Sequence, residues 1–111
     1  MTAHRPSGTD RDAAILDQVE EVIRRALGAR RADVYLFGSW ARGIQRPTSD
    51  IDVAIGASEP LPPGLLASLR ETLEESTIPY RVDVVDLAEA DPAFRERVQR
   101  DGRLWIASGN A

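Results

Sequence analysis

Residues 50–55 read Asp-Ile-Asp-Val-Ala-Ile, so carboxylate and aliphatic side chains alternate at the start of an apolar run. Side chains along a strand alternate faces. A strand here would set Asp50, Asp52 and Ala54 on one side and Ile51, Val53 and Ile55 on the other. The aliphatic side must meet a core. The opposite side holds two like charges that repel unless a cation sits between them or one of them takes a proton. In a polar loop an Asp-x-Asp pair is simply solvated; inside an apolar strand pattern it reads as a platform for a hard cation such as Mg²⁺.

The rest of the chain alternates helix and strand patterns. Thr9 with Asp12 fits a helix start, and Ile15, Leu16, Val19, Val22, Ile23, Ala26 and Leu27 recur at helical spacing up to a stop at Gly28. Glu20–Arg24 and Glu21–Arg25 are i,i+4 pairs for the outer face. Residues 33–37, DVYLF, predict a strand. GSWARG, 38–43, predicts a turn into a short helix, and QRPTS a loop before the second strand at 50–55. A proline-rich connection leads to a helix marked by Leu65, Leu66, Leu69 and Leu73 and ending near Ser76. RVDVVDL, 81–87, predicts a third strand. Asp91-Pro92 starts a helix with Phe94 and Val98 on one face and Gly102 as its stop. RLWIA, 103–107, is a last short strand or a docking tail. The expectation is an α/β (α+β) domain with a small sheet, spanning 9–107 between a flexible tail at 1–8 and a tail at 108–111.

Composition narrows the chemistry. With 111 residues and a net charge of −4, the chain is one domain without the broad basic surface of a nucleic-acid binder. All 14 basic residues are arginines, which excludes Schiff-base and P-loop lysine chemistry. The absence of cysteine excludes disulfides and thiolate nucleophiles. The one histidine, His4, falls in the polar N-terminal segment, away from any motif. No run is long and apolar enough for a membrane span, and no signal-peptide core opens the chain, so a cytoplasmic location is expected.

Asp83 adds a third carboxylate. It has the opposite parity to Val82 and Val84, so it points away from their face and meets the other two if its strand lies beside theirs. Arg81 shares its face and suits a plain ion pair. Asp86 has the other parity and reads as structural. Gly38-Ser39, at the end of the first strand, suits a phosphate: glycine permits close backbone approach and the hydroxyl donates. Arg42, one turn on, offers a forked donor. Three carboxylates beside a phosphate cradle describe two-metal phosphoryl-group chemistry. Trp40 and Trp105 suit an interface or a base pocket, with core packing the plainer reading.

GSWARG at 38–43 followed by SDID at 49–52 matches the Gly-Ser-x-Ala-Arg-Gly and Ser-Asp-x-Asp signature of the DNA polymerase beta superfamily of nucleotidyltransferases, and the chain resembles most its minimal nucleotidyltransferase (MNT) group. RVDVVDL supplies the third acidic position, and FRERVQRDGRLWI resembles the group's C-terminal helix and tail. The resemblance covers about residues 33–106. It implies a small mixed sheet backed by helices and transfer of a nucleoside monophosphate from an NTP, by default ATP, to a hydroxyl. It maps Gly38 and Ser39 onto the phosphate-binding pair and Asp50, Asp52 and Asp83 onto the catalytic triad that holds two Mg²⁺ ions. Arg42 and Ser49 match further motif positions on the nucleotide side. It also implies an antitoxin that adds AMP to a tyrosine of a HEPN ribonuclease toxin within a hetero-oligomer. Length points the same way, because a nucleotide cleft takes up most of 111 residues and leaves the acceptor to another chain. Two alternatives stay open: a nucleotidyltransferase acting on small molecules, resembling the kanamycin type, and an antitoxin that works by binding alone.

Overall fold

The computed structural model describes residues 7–107, so His4 and the expected tail residues 1–6 and 108–111 lie outside the described residues. Helix α1 spans Ser7–Leu27. It begins two residues before Thr9, and so takes Ser7 and Gly8 from the expected tail and leaves Thr9 inside the helix. Ser7-x-x-Asp10 repeats the start pattern of Thr9-x-x-Asp12, and local pattern cannot choose between two overlapping signals. Ile15, Val19, Ile23 and Leu27 recur every fourth residue and are buried. Arg24–Glu20 and Arg25–Glu21 pair on the outer face at 2.8 and 3.0 Å. Gly28 ends the helix in the left-handed region at φ +60°, its N–H donating to the Arg24 carbonyl.

Strands β1 (Ala32–Phe37), β2 (Ile51–Ala57), β3 (Val82–Asp86) and β4 (Arg103–Ile106) form one sheet in the order β3-β2-β1-β4. Only β2 and β3 are parallel, and helix α2 (Leu65–Glu75) makes the crossover between them. One face packs Val34, Leu36, Ile51, Val53, Ile55 and Val84 beneath α1 and α2, whose Leu69 and Leu73 join the same core. The exposed edge of β3 is blunted from α2, where the Arg70 guanidinium donates to the Val84 carbonyl at 2.8 Å. RLWIA resolves into a strand: β4 pairs antiparallel with β1 and buries Ile106. Among the described residues, no helix is long and apolar enough to cross a membrane.

The expected short helix after β1 does not form. Residues 38–43 make a single turn in which the N–H groups of Arg42, Gly43 and Ile44 close onto the carbonyls of Gly38, Ser39 and Trp40. Four residues between Gly38 and Gly43 leave no room for a second round of bonds, so nucleation is never followed by propagation. The chain then returns through residues 44–50, and β2 lies antiparallel to β1.

The second sheet face is covered only in part. Helix α3 (Pro92–Asp101) packs there, with Val98 beside Ala54 and Leu87 and with Phe94 edge-on to Phe37 at 5.6 Å. Its start is the expected one: the Asp91 carboxylate accepts from the Phe94 N–H at 2.8 Å, with Pro92 in the first turn. Asp86 is structural, as expected, accepting from the Ala88 N–H at 3.0 Å. Asp91→Ala should lower stability by about 1 kcal/mol, which thermal unfolding would show as a drop of about 4–8 °C. α3 thus covers one end of this face and leaves the other end open, where β1 stops and β2 and β3 begin.

Candidate active site

The open end of the face gathers the carboxylates. In the parallel register Asp52 lies directly opposite Asp83, and in the antiparallel register opposite Phe37, so all three share one face. Asp50 sits one residue before β2 and is close enough to act on Asp52 electrostatically. The Asp52 carboxyl is held above its ordinary value of 3.8, first by burial and then by the charges of Asp83 and Asp50. Asp52 is half-buried, while Asp50 and Asp83 are exposed. The Phe37–Phe94 pair lies on the same face, with Phe37 opposite Asp52 in the register. No ion pair joins Arg81 to Asp83 among the described residues; Arg81 contributes its carbonyl, which accepts from the Ile51 N–H at 2.9 Å.

The Gly38–Gly43 turn lies directly against this cluster. Gly38 has φ +75°, and a Cβ added to it would collide with a carboxylate oxygen of Asp52. Only a residue without a side chain lets the backbone pass there. Ser39 follows, half-buried at the rim of the site. Because residues 38–43 form one turn, no helix dipole is aimed at an anion here. Donors must come from the turn's own N–H groups, the Ser39 hydroxyl and Arg42. The Arg42 side chain is exposed on the same turn.

Ser49 is next to Asp50; its hydroxyl accepts from the Arg46 N–H at 2.8 Å and keeps its own proton to donate. Its place is in the small turn that delivers Asp50. Trp40 is buried, in accord with core packing, and its indole N–H donates to the Ser49 carbonyl at 3.3 Å. Sequence reasoning did not find this contact or the Phe37–Phe94 pair. The signal for the first was a tryptophan inside an otherwise polar turn. Trp105 is half-buried against the main core.

The donor set is all carboxylate oxygen, which suits a hard divalent cation. Among the described residues, no group of three or more His, Asp or Glu side chains forms a ready-made metal cage. A cation would nonetheless offset the like charges gathered at Asp50, Asp52 and Asp83, and phosphate oxygens held at Gly38-Ser39 would supply further ligands. The residues therefore fit magnesium brought in with a triphosphate. Beside Asp83 a surface cleft of about 480 Å³ opens along β3, lined by Arg70, Tyr80 and Arg81 among others.

A model of the polymerase beta nucleotidyltransferase family matches residues 30–108. The "Probable protein adenylyltransferase MntA" of Haemophilus influenzae is 39% identical over 67 residues, 60% of this chain and 59% of the relative. The protein adenylyltransferase MntA of Shewanella oneidensis is 37% identical over 73 residues, 65% of this chain and 52% of the relative. The chain thus spans a little over half the length of these curated relatives. A solved toxin–antitoxin complex with AMP-PNP superposes with a TM-score of 0.70 at 28% identity, covering 84% of this chain and 73% of that one.

Proposed function

This chain belongs to the polymerase beta nucleotidyltransferase family, and we propose that it transfers AMP from ATP to a tyrosine hydroxyl of a HEPN-type toxin and so acts as that toxin's antitoxin. One observation carries the reading. Asp52 and Asp83 lie side by side across β2 and β3, with Asp50 adjacent and the Gly38-Ser39 turn packed on Asp52. A partner toxin as acceptor is supported by the MntA relatives, which are named protein adenylyltransferases, and by the toxin–antitoxin complex with AMP-PNP. Residues 9–107 form the catalytic unit in this reading, and it works in the cytoplasm, where ATP is available.

Gly38 lets the turn's backbone approach the triphosphate, and the Ser39 hydroxyl and Arg42 donate to its oxygens. Ser49 serves by holding the turn that presents Asp50. Asp50, Asp52 and Asp83 would hold two magnesium ions. When bound, magnesium neutralises the triphosphate and lowers the pKa of the attacking hydroxyl. The acceptor oxygen bonds to the α-phosphorus as the bond to the pyrophosphate oxygen breaks. Asp83, exposed and bordering the cleft along β3, lies on the acceptor side and takes the hydroxyl proton. Asp52, half-buried opposite Phe37, lies on the donor side.

The chain co-purified with its natural partner and supplied with Mg²⁺ and ATP should add one or more AMP units to that partner, read by intact mass. Asp50→Ala with Asp52→Ala should abolish the gain. If the double variant still silences the toxin with no added mass, neutralisation works by binding alone.

A further inference from the structure

We propose that Trp40 is a positioning residue that ties the phosphate-binding turn to the segments delivering the carboxylates, an inference that rests on the nucleotidyltransferase reading of this site. Two contacts converge on its side chain, and its place in the chain adds a third link. Its chain neighbour is Ser39, in the turn. Its indole N–H donates at 3.3 Å to the carbonyl of Ser49, the residue before Asp50. Its ring meets Tyr80 edge-on, with centroids 5.0 Å apart at 78°, and Tyr80 lies three residues before Asp83. One buried side chain thus touches the lead-in to every proposed ligand.

The need for such a tie follows from the connection itself. Residues 38–50 join antiparallel strands without a helix or strand of their own. Their midpoint is pinned to α1 by Gln45, whose Nε2 donates to Asp12 at 2.9 Å, but that contact lies away from both ends. The end at Ser49-Asp50 is held by its own small turn and by Trp40. A restraint across these segments sets the spacing of the turn and the carboxylate-bearing strand ends. Tyr80 is steadied in turn from α1, where Arg11 donates to its hydroxyl at 3.4 Å and stacks at 5.9 Å from its centroid.

Trp40→Phe removes the N–H and keeps an aromatic ring beside Tyr80. In the full-length chain, hydrogen exchange of segments 38–44 and 47–52 should rise by about three- to tenfold, the opening expected from one lost hydrogen bond, while the centres of β1 and β2 stay protected. With the partner present, kcat should fall by about tenfold and KM for ATP should move by less than about threefold, because misplaced ligands impair the reacting geometry more than nucleotide capture. Tyr80→Leu is the second variant, and should speed exchange at 81–83 as well. Unchanged exchange in both segments, or a rise spread evenly through the strands, would leave Trp40 as core packing and overturn the proposal. The exchange arm needs neither ATP nor acceptor. A wild-type chain that transfers nothing would remove the reaction, while exchange would still decide whether the tie exists.

Discussion

Asp52→Asn is expected to abolish nucleotidyl transfer and at the same time to raise the melting temperature of the isolated chain. The two effects have one origin. Asp52 is the most enclosed of three carboxylates, held between Phe37 and Asp83 in the sheet register and acted on by Asp50. Its carboxyl is raised above 3.8 by burial first and by its two neighbours second. A carboxyl raised on folding binds its proton more tightly in the folded state. The contribution of Asp52 to stability is therefore fully present below pH 3.8 and is lost as the pH climbs through the raised value, so its penalty is present at neutral pH. Asparagine keeps the shape and removes the charge. After discounting for solvent access at a half-exposed group, the gain is about 0.5–1 kcal/mol, or about 2–6 °C, in thermal unfolding at pH 7.5. It should shrink as the pH is lowered toward 3.8. Transfer should fall by about 10³-fold or more, the scale of losing a group that stabilises charge in the transition state. A variant that is both inactive and less stable would make Asp52 a structural residue. Addition of Mg²⁺ and ATP should stabilise the wild-type chain and have much less effect on the variant.

Most of the scaffold was legible because its signals are local. The alternation of residues 50–55 defines both β2 and its chemical face, since Ile51, Val53 and Ile55 are fully buried. Asp91-Pro92 and Gly102 bracket α3 as expected. The shared face of Asp52 and Asp83 followed from parity once β2 and β3 were neighbours, but parity alone could not make them neighbours; the α2 crossover does that. What was not legible depends on contacts between distant segments. GSWARG has helix-compatible residues, yet the return of the chain into an antiparallel β2 leaves it one turn. Ser49 matches a motif position, and the bond its hydroxyl accepts from the Arg46 N–H is one that only the folded loop shows. A tryptophan inside a polar turn marks Trp40 as unusual, but its partner nine residues ahead, Ser49, is set only by the folded loop.

Gly38→Ala should be the most damaging change that leaves every proposed catalytic group in place. Two separate penalties fall on it. At φ +75° an alanine is in the left-handed region, which costs about 1–2 kcal/mol. Its Cβ also meets the Asp52 carboxylate oxygen, and the carboxylate clears it only by rotating out of the position it holds beside the turn. Together they should destabilise the chain by about 2–4 kcal/mol. Transfer by the folded fraction should fall by at least about 100-fold, since relief of the collision displaces Asp52, the phosphate turn, or both. The penalties separate in a double-mutant cycle. Asp52→Ala removes the oxygen but keeps Cβ, which would stand 3.5 Å from the new methyl group, an ordinary contact. In that background Gly38→Ala should cost only the backbone term, which gives a coupling of about 1–2 kcal/mol in chemical denaturation. Additive effects would mean that turn and carboxylate do not touch in solution. That would leave the proposed phosphate site without its fixed distance from the metal ligands, because Gly38 has no side chain of its own through which to act.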